Sequence, residues 1–281
     1  CPNPFRDSEL KYTRQAAEML HAAGYETAVC PVFAEDAPQM IPEDIKATTL
    51  DAVRSRCSLV VVIGGDGTIL SAARQLHNAD IPILGVNLGS KGFMAALEPE
   101  HMQLIVKAAA GEYTVSRRMM LDIELERGGE IIYRDKALND VVLHGYGDCI
   151  RLTAWCAGDR ITSFSGDGII LSTPTGSTGY SMSAGGPIVE PSARNLLITP
   201  ICAHAMLAKT IVVSPERVIS VKIGKIGRHN AYLSVDGGRA FRLNTGDVIT
   251  TRLSQKVTKL VRLKQTSFFE ILNKKFIDRQ R

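Results

Sequence analysis

One carboxylate stands among glycines in Gly64-Gly65-Asp66-Gly67-Thr68, directly after the apolar run Leu59 to Ile63. At the C-terminal end of a buried strand, glycines permit a tight turn and close backbone approach, and a helix that follows presents unpaired N–H groups and its positive dipole end. The natural guest is an anion. A carboxylate beside a phosphate site needs a chemical reason, because like charges repel. It holds a metal ion that bridges phosphate oxygens, or it accepts the proton of an attacking hydroxyl during phosphoryl transfer. Gly64, Gly65, Gly67 and Thr68 are therefore expected to form a phosphate loop around Asp66. The loop lacks the Gly-Lys-Ser/Thr of a Walker motif and the spacing of a dinucleotide fingerprint. The plainer alternative is a strand-to-helix turn in which Asp66 caps its own helix.

A second loop follows Asp167-Gly168 and runs to Gly186-Pro187. Between Ser172 and Ser183, seven of twelve residues are Ser or Thr and two more are Gly, so the stretch offers hydroxyl donors and acceptors on a backbone that approaches a ligand closely. Tyr180 adds a ring face suited to stacking on a purine. Sugar and base fit this mixture better than bare phosphate. The alternative is a polar linker, and the apolar flanks Ile169 to Leu171 and Ile188-Val189 argue against it. Other polar residues give weaker signals. Arg117 and Arg118 sit on an alternating segment and point to opposite faces, so one at most is a triphosphate clamp and the other is solvated. His204, near Ile201 and Met206, reads as a structurally hydrogen-bonded histidine, and His144 and Cys149 are too isolated for a metal site.

The elements that must hold these loops change character along the chain. From Asp7 to Ala23, Leu10, Ala16, Ala17 and Leu20 recur at helical spacing, with Asp7 or Ser8 as cap and Gly24 beyond the end. Glu26 to Val32 reads as a strand, Leu50 to Arg56 as a helix, Leu59 to Ile63 as a buried strand, Ile69 to Leu76 as a helix and Ile81 to Val86 as another strand. Alternating strands and helices predict an α/β domain with a parallel sheet. Around Gly111 the rhythm changes to alternating segments such as Leu121 to Leu125, Ile150 to Ala154 and Ile219 to Ile223. Gly128-Gly129, Gly158-Asp159 and Asp236-Gly237-Gly238 punctuate them as turns, which predicts a mainly β, sandwich-like second domain. Ser267 to Phe276 carries Phe268, Phe269, Leu272 and Phe276 at helical spacing and is expected to be a terminal helix.

At 281 residues and 45% apolar, the chain has material for two cores. No apolar run approaches the roughly 20 residues that span a bilayer, so no membrane association is expected. Six cysteines scattered without CxxC spacing favour a reducing, cytoplasmic setting over a disulfide framework or zinc site. The net charge of +4 suits anionic ligands, but without a Lys/Arg block it does not point to nucleic acid. No signal peptide precedes Cys1, and the opening Cys1-Pro2-Asn3-Pro4 reads as a first strand already under way.

Taken together and in order, these segments resemble the NAD kinase family. The resemblance covers nearly the whole chain: Asn3-Pro4, Gly64 to Thr68, Val86-Asn87 with Gly89 and Gly92-Phe93, Arg118 to Leu121, Ala137 to Asp140, Asp167 to Pro187, Thr199 to Ile201 and Asp236-Gly237. The glycine loop is shared with lipid kinases and phosphofructokinases, whereas Thr173 to Pro187 is specific. The resemblance implies an α/β nucleotide-binding domain over residues 1–112, with 262–281 returning to it. A β-rich domain over 113–261 is expected to bind NAD and to form a homodimer or homotetramer.

The resemblance also implies transfer of a phosphoryl group from ATP, another nucleoside triphosphate or polyphosphate to the adenosine-ribose 2′-hydroxyl of NAD, with Mg²⁺ arriving on the donor. Asp66 matches the family's proton acceptor, with Gly67 beside it at the phosphates. Asn139 matches an adenosine contact, and Asp140 stands where the family usually has Glu. Asp167 matches a site carboxylate, and Ser165 occupies a position often basic. Thr178, Tyr180 and Ser183 match the adenosine pocket, within a binding stretch that also takes in Gly179, Ser181 and Met182. Gly179 replaces a usual Ala, Lys91 a frequent Leu, Gly238 an occasional Gln, and Ala203-His204-Ala205-Met206 a commoner Pro-His-Ser/Thr-Leu. A lipid or sugar kinase would leave the second loop without purpose, and a silent dinucleotide sensor would require loss of Asp66 or its glycines. A monomer would need its strand edges blunted by charges such as Lys222, Lys225 and Arg228.

Overall fold

The computed structural model describes residues 1–33, 38–89, 92–147, 149–204, 209–226, 230–263 and 267–278. Lys91, Ala205, Met206 and Arg228 lie outside them. The first elements are α1 (Lys11–Ala22), α2 (Leu50–Val53), β1 (Val60–Gly64), α3 (Asp66–Gln75), β2 (Ile83–Asn87) and α4 (Ile105–Ala109). Strands then dominate: β3 (Thr114–Arg127), β4 (Glu130–Ala137), β5 (Asp140–Tyr146), β6 (Ile150–Cys156), β7 (Asp159–Gly166) and β8 (Gly168–Ser172). After α5 (Tyr180–Ser183) come β9 (Leu196–Ile201), β10 (Ile211–Val213), β11 (Ile219–Ile223), β12 (Asn230–Val235), β13 (Phe241–Leu243), β14 (Val248–Arg262) and α6 (Phe268–Asp278). Two compact units result, Cys1–Arg117 with Thr258–Arg281, and Arg118–Val257.

In the first unit, β1 and β2 pair in parallel from Val60↔Ile83 to Gly64↔Asn87, and Leu260 near the end of β14 joins β2 in parallel. All of β2 is buried, which explains why parallel strands read as unbroken apolar runs rather than alternation. Ile63, Leu84, Val86, Met102, Ile105 and Val261 share a core with Ala16 of α1. Two expectations are corrected here. The first helix begins at Lys11, because Glu9 and Leu10 take positive φ and break the opening turn. Asp7 still caps it, accepting from the Tyr12 and Thr13 N–H groups at 2.9 and 3.0 Å. Glu26 to Val32 is not a strand: it makes an isolated bridge, Val29↔Ala47, and Pro31 has no N–H with which to extend a ladder.

The second unit is built from antiparallel sheets. One runs β10-β9-β8-β5-β12-β13; the other joins the start of β14 to β11, β6 and β7, and β3 pairs with β4. Inward residues of both, including Leu121, Leu152, Val221 and Ile249 facing Val141, Ile169 and Leu233, form one core. The alternation read from the sequence is this in-and-out pattern, as in β12, where every second residue is buried. The β3–β4 turn uses Gly128 and Gly129 at φ +60° and +88°, a left-handed pair that matches strand twist.

Candidate active site

In the first unit the glycine loop is fixed from several directions. Asn3, held on β1 by its own N–H to the Ile63 carbonyl at 2.9 Å, donates from Nδ2 to Thr68 Oγ1 at 3.0 Å, and Gly65 N–H reaches the same hydroxyl at 3.3 Å. Thr68 thus ties the loop down, and a Cβ on Gly64 would overlap its hydroxyl. Gly67 is different, because a Cβ there would meet no protein atom within 4 Å. The first N–H groups of α3, at Asp66 and Gly67, have no acceptor within the helix by position.

Asp66 does not cap its own helix. Its Oδ2 accepts from Phe93 N–H at 2.7 Å and its Oδ1 from Met94 N–H at 3.2 Å. Gly92 makes the approach possible, since a Cβ there would overlap the carboxylate. The segment that grips Asp66 is held in turn by the returning C-terminal stretch. Arg262 donates from Nη1 to the Met94 and Ala95 carbonyls at 3.1 and 3.3 Å and from Nη2 to the Phe93 carbonyl at 3.4 Å, while Phe268 of α6 packs on the Phe93 ring with centroids 6.0 Å apart. Exposed Arg6 donates to the Leu88 carbonyl at 3.2 Å and lies against Gly89, with Nε 4.0 Å from where a Gly65 Cβ would be.

In the second unit, Asp236 organises Asn139 and Asp140. Its carboxylate accepts the Leu138, Asn139 and Asp140 N–H groups at 2.7, 2.7 and 3.0 Å, and its own N–H returns to the Asp140 carbonyl at 3.0 Å. Thr173 continues the tie, with Oγ1 to the Leu138 carbonyl at 2.6 Å and N–H to that of Asn139 at 2.9 Å. Gly176 packs so closely on Asn139 that a Cβ would overlap its carbonyl. A Cβ on Gly179 would stand 3.7 Å from Asn139 Nδ2 and 4.0 Å from Asp140 Oδ2. Asn139 Oδ1 is buried with no hydrogen-bond partner among the described residues. Burial, reinforced by the Asp236 charge, pushes the Asp140 carboxyl up to about 7.

The remaining residues of the second loop divide between scaffold and surface. Ser181 is buried and shares a 2.9 Å hydrogen bond with Thr199, and half-buried Thr178 donates to the Thr175 carbonyl at 3.3 Å. Tyr180 and Ser183 are exposed, and Gly179 and Met182 half-buried. Arg118 is buried beside Thr175 at 3.5 Å, whereas Arg117 is exposed, which is the division that strand alternation predicts. Ser165 lies on β7, where its carbonyl accepts the His204 N–H at 2.7 Å. Asp167 links β7 to β8, and Cys149 Sγ stands 4.0 Å from its Oδ1 and 3.9 Å from His204 Nε2. His204 is exposed rather than held inside the core. Among the described residues, no group of three or more His, Cys, Asp or Glu is placed to hold a metal ion, and no helix is long and apolar enough to cross a membrane.

Family models match almost end to end, the ATP-NAD kinase N-terminal domain over residues 2–113 and its C-terminal domain over residues 117–263. An NAD kinase of Acetivibrio thermocellus is 37% identical over 281 residues, covering 99% of this chain and 96% of the relative. The chain belongs to the NAD kinase family. Among solved structures, a yeast NADH kinase complexed with NADH superimposes with a TM-score of 0.83 at 26% identity, covering 97% of this chain and 85% of that one. An NAD kinase from Archaeoglobus fulgidus in complex with ATP gives 0.71 at 25% identity, covering 94% of both chains. Within this family fold, sequence reading missed Arg6, Arg262 and the clamp made by Asp236. Each acts on backbone far away in the chain, so no local spacing marks it; the available signals were Arg6 standing two residues after Asn3-Pro4 and the Asp236-Gly237 pair, which reads only as a turn and a point of resemblance.

Proposed function

We infer that the chain transfers a phosphoryl group from ATP to the adenosine-ribose 2′-hydroxyl of NAD, forming NADP. The observation that carries the mechanism is the orientation of Asp66, which is gripped by the Phe93 and Met94 N–H groups instead of being consumed as a cap of α3. In the reaction the 2′-oxygen bonds to the terminal phosphorus, the bond from that phosphorus to the departing diphosphate breaks, and the 2′-hydroxyl proton passes to Asp66. The glycine loop and the start of α3 cradle the donor phosphates, and the Arg6 guanidinium beside Gly65 and Gly89 supplies positive charge to them.

Mg²⁺ enters with the donor as part of the substrate. The loop offers a single carboxylate, and Mg²⁺ is commonly held by one or two carboxylates plus substrate phosphates. On the donor it neutralises phosphate charge. Asn139 Oδ1, buried and unpartnered among the described residues, is the acceptor for an adenine amino group, and Asp140 faces the ribose. Exposed Tyr180 offers its ring to the base. Ser165, Asp167, Thr178, Gly179, Met182 and Ser183 complete the surroundings of the dinucleotide, with Ser181 shaping them through Thr199. The β-rich unit assembles the chain into a homodimer or homotetramer.

The test is NADP formation by purified protein with NAD as acceptor and ATP, GTP or polyphosphate as donor, run beside a diacylglycerol and sugar panel. Phosphorylation of NAD alone is the expected result. Transfer to the lipid or sugar, or NADP binding without turnover, overturns the reading.

A further inference from the structure

The grip on Asp66 is itself held by a charged group that no step above uses. Three consecutive carbonyls, from Phe93, Met94 and Ala95, converge on the Arg262 guanidinium at 3.1 to 3.4 Å. The same short segment presents the Phe93 and Met94 N–H groups that hold the Asp66 carboxylate at 2.7 and 3.2 Å. The peptide between Phe93 and Met94 is held at both ends, its carbonyl by Arg262 and its N–H by Asp66, so a cation at one end and an anion at the other polarise that group in the same direction. Gly92 lets the segment approach this closely, since a Cβ there would overlap the Asp66 carboxylate. Arg262 is partly buried, and burial lowers the guanidinium's pKa while the Asp66 charge opposes that shift. A guanidinium desolvated for fold alone would do as well beside any carbonyls; here its three acceptors are the segment that aims a reactive carboxylate.

We propose that Arg262 is a positioning residue for phosphoryl transfer, setting the orientation of the Asp66 carboxylate through the Phe93–Ala95 backbone. The proposal rests on the reading of Asp66 as proton acceptor. Arginine suits the task because its planar fork bonds several carbonyls at once, whereas an ammonium group is a point charge on a flexible stem. The C-terminal return into the first unit thereby has a chemical purpose, delivering Arg262 and Phe268 to the segment whose N–H groups hold Asp66.

The test is a double-mutant cycle on the full chain, with kcat, both KM values and the melting temperature measured for Arg262→Gln, Asp66→Asn and the pair. Arg262→Gln is expected to lower kcat by about 10- to 100-fold, with KM for NAD and ATP within about two-fold, because the reacting geometry is lost while the substrate contacts remain. In the Asp66→Asn background the same change should alter the residual rate by less than about two-fold, since the carboxylate it orients is already gone. Arg262→Lys, which keeps the charge but not the fork, should lose less activity and serves as the variant if the glutamine form does not fold. An equal proportional loss in both backgrounds makes Arg262 a structural support and overturns the proposal with the Asp66 reading intact. Undiminished turnover in Asp66→Asn alone removes that reading, and the proposal with it.

Discussion

Two carboxylates, one in each unit, are held in contrasting ways, and the contrast sets what each residue does. Asp66 accepts two backbone N–H groups, whereas Asp140 is buried beside the Asp236 charge and has its pKa raised from 3.8 to about 7. The folded state therefore binds the Asp140 proton more tightly than the unfolded chain does, so the stabilisation it gives is complete below about pH 4 and is lost as pH rises through about 7. Asp140→Asn removes this titration: the parent's melting temperature relative to the variant should decline from about pH 5 to 8, and a constant difference would contradict the assignment. Asn139→Ala deletes the unpartnered acceptor. KM for NAD should then rise by an amount equivalent to about 1–3 kcal/mol with that for ATP nearly unchanged, and equal changes in both would mean the residue serves the fold.

At the scale of elements, Gly92 and Gly67 beside Asp66 differ in what the fold asks of them. A Cβ on Gly92 overlaps Asp66, whereas one on Gly67 meets nothing within 4 Å. Gly67→Ala should leave stability unchanged or raise it by up to about 1 kcal/mol, through reduced unfolded-state entropy, and still cut kcat/KM for the donor by about ten-fold because the added methyl occupies the phosphates' space. Gly92→Ala should lower kcat by about 100-fold as the Asp66 carboxylate is displaced. Calorimetry and initial rates check both, and a destabilised Gly67→Ala or a fully active Gly92→Ala would count against this division. The strand–loop–helix unit from Val60 to Gln75 was legible because apolar run, glycine loop and helical spacing are all local signals. The start of α1 was misplaced because Glu9 and Leu10 take positive φ, a tertiary compromise without a composition cue. The segment Glu26 to Val32 has strand-like residues but lacks ladder partners, which only the surrounding chain decides.

For the whole molecule, an α/β unit and a β-rich unit were readable from the switch in hydrophobic period near Gly111, since buried parallel strands and half-exposed antiparallel strands leave different patterns. The long-range contacts within each unit, Arg262 on Phe93 to Ala95 in the first and Asp236 on Leu138 to Asp140 in the second, were not readable, because each joins segments whose spacing carries no period. Apolar residues exposed on the second unit, among them Ile131, Ile132, Tyr146, Val212 and Val218, suit burial against another copy. Light scattering should give a dimer or tetramer, with specific activity falling on dilution; a fully active monomer of 30.5 kDa would end that expectation while leaving the chemistry untouched. The chemistry itself is tested most directly by steady-state NADP formation in the parent and in Asp66→Asn. The parent should convert NAD and ATP to NADP, and the variant should lose kcat by about 10² to 10⁴ fold with little change in NAD binding. A parent that forms no NADP, or a variant within a few-fold of it, would contradict the account.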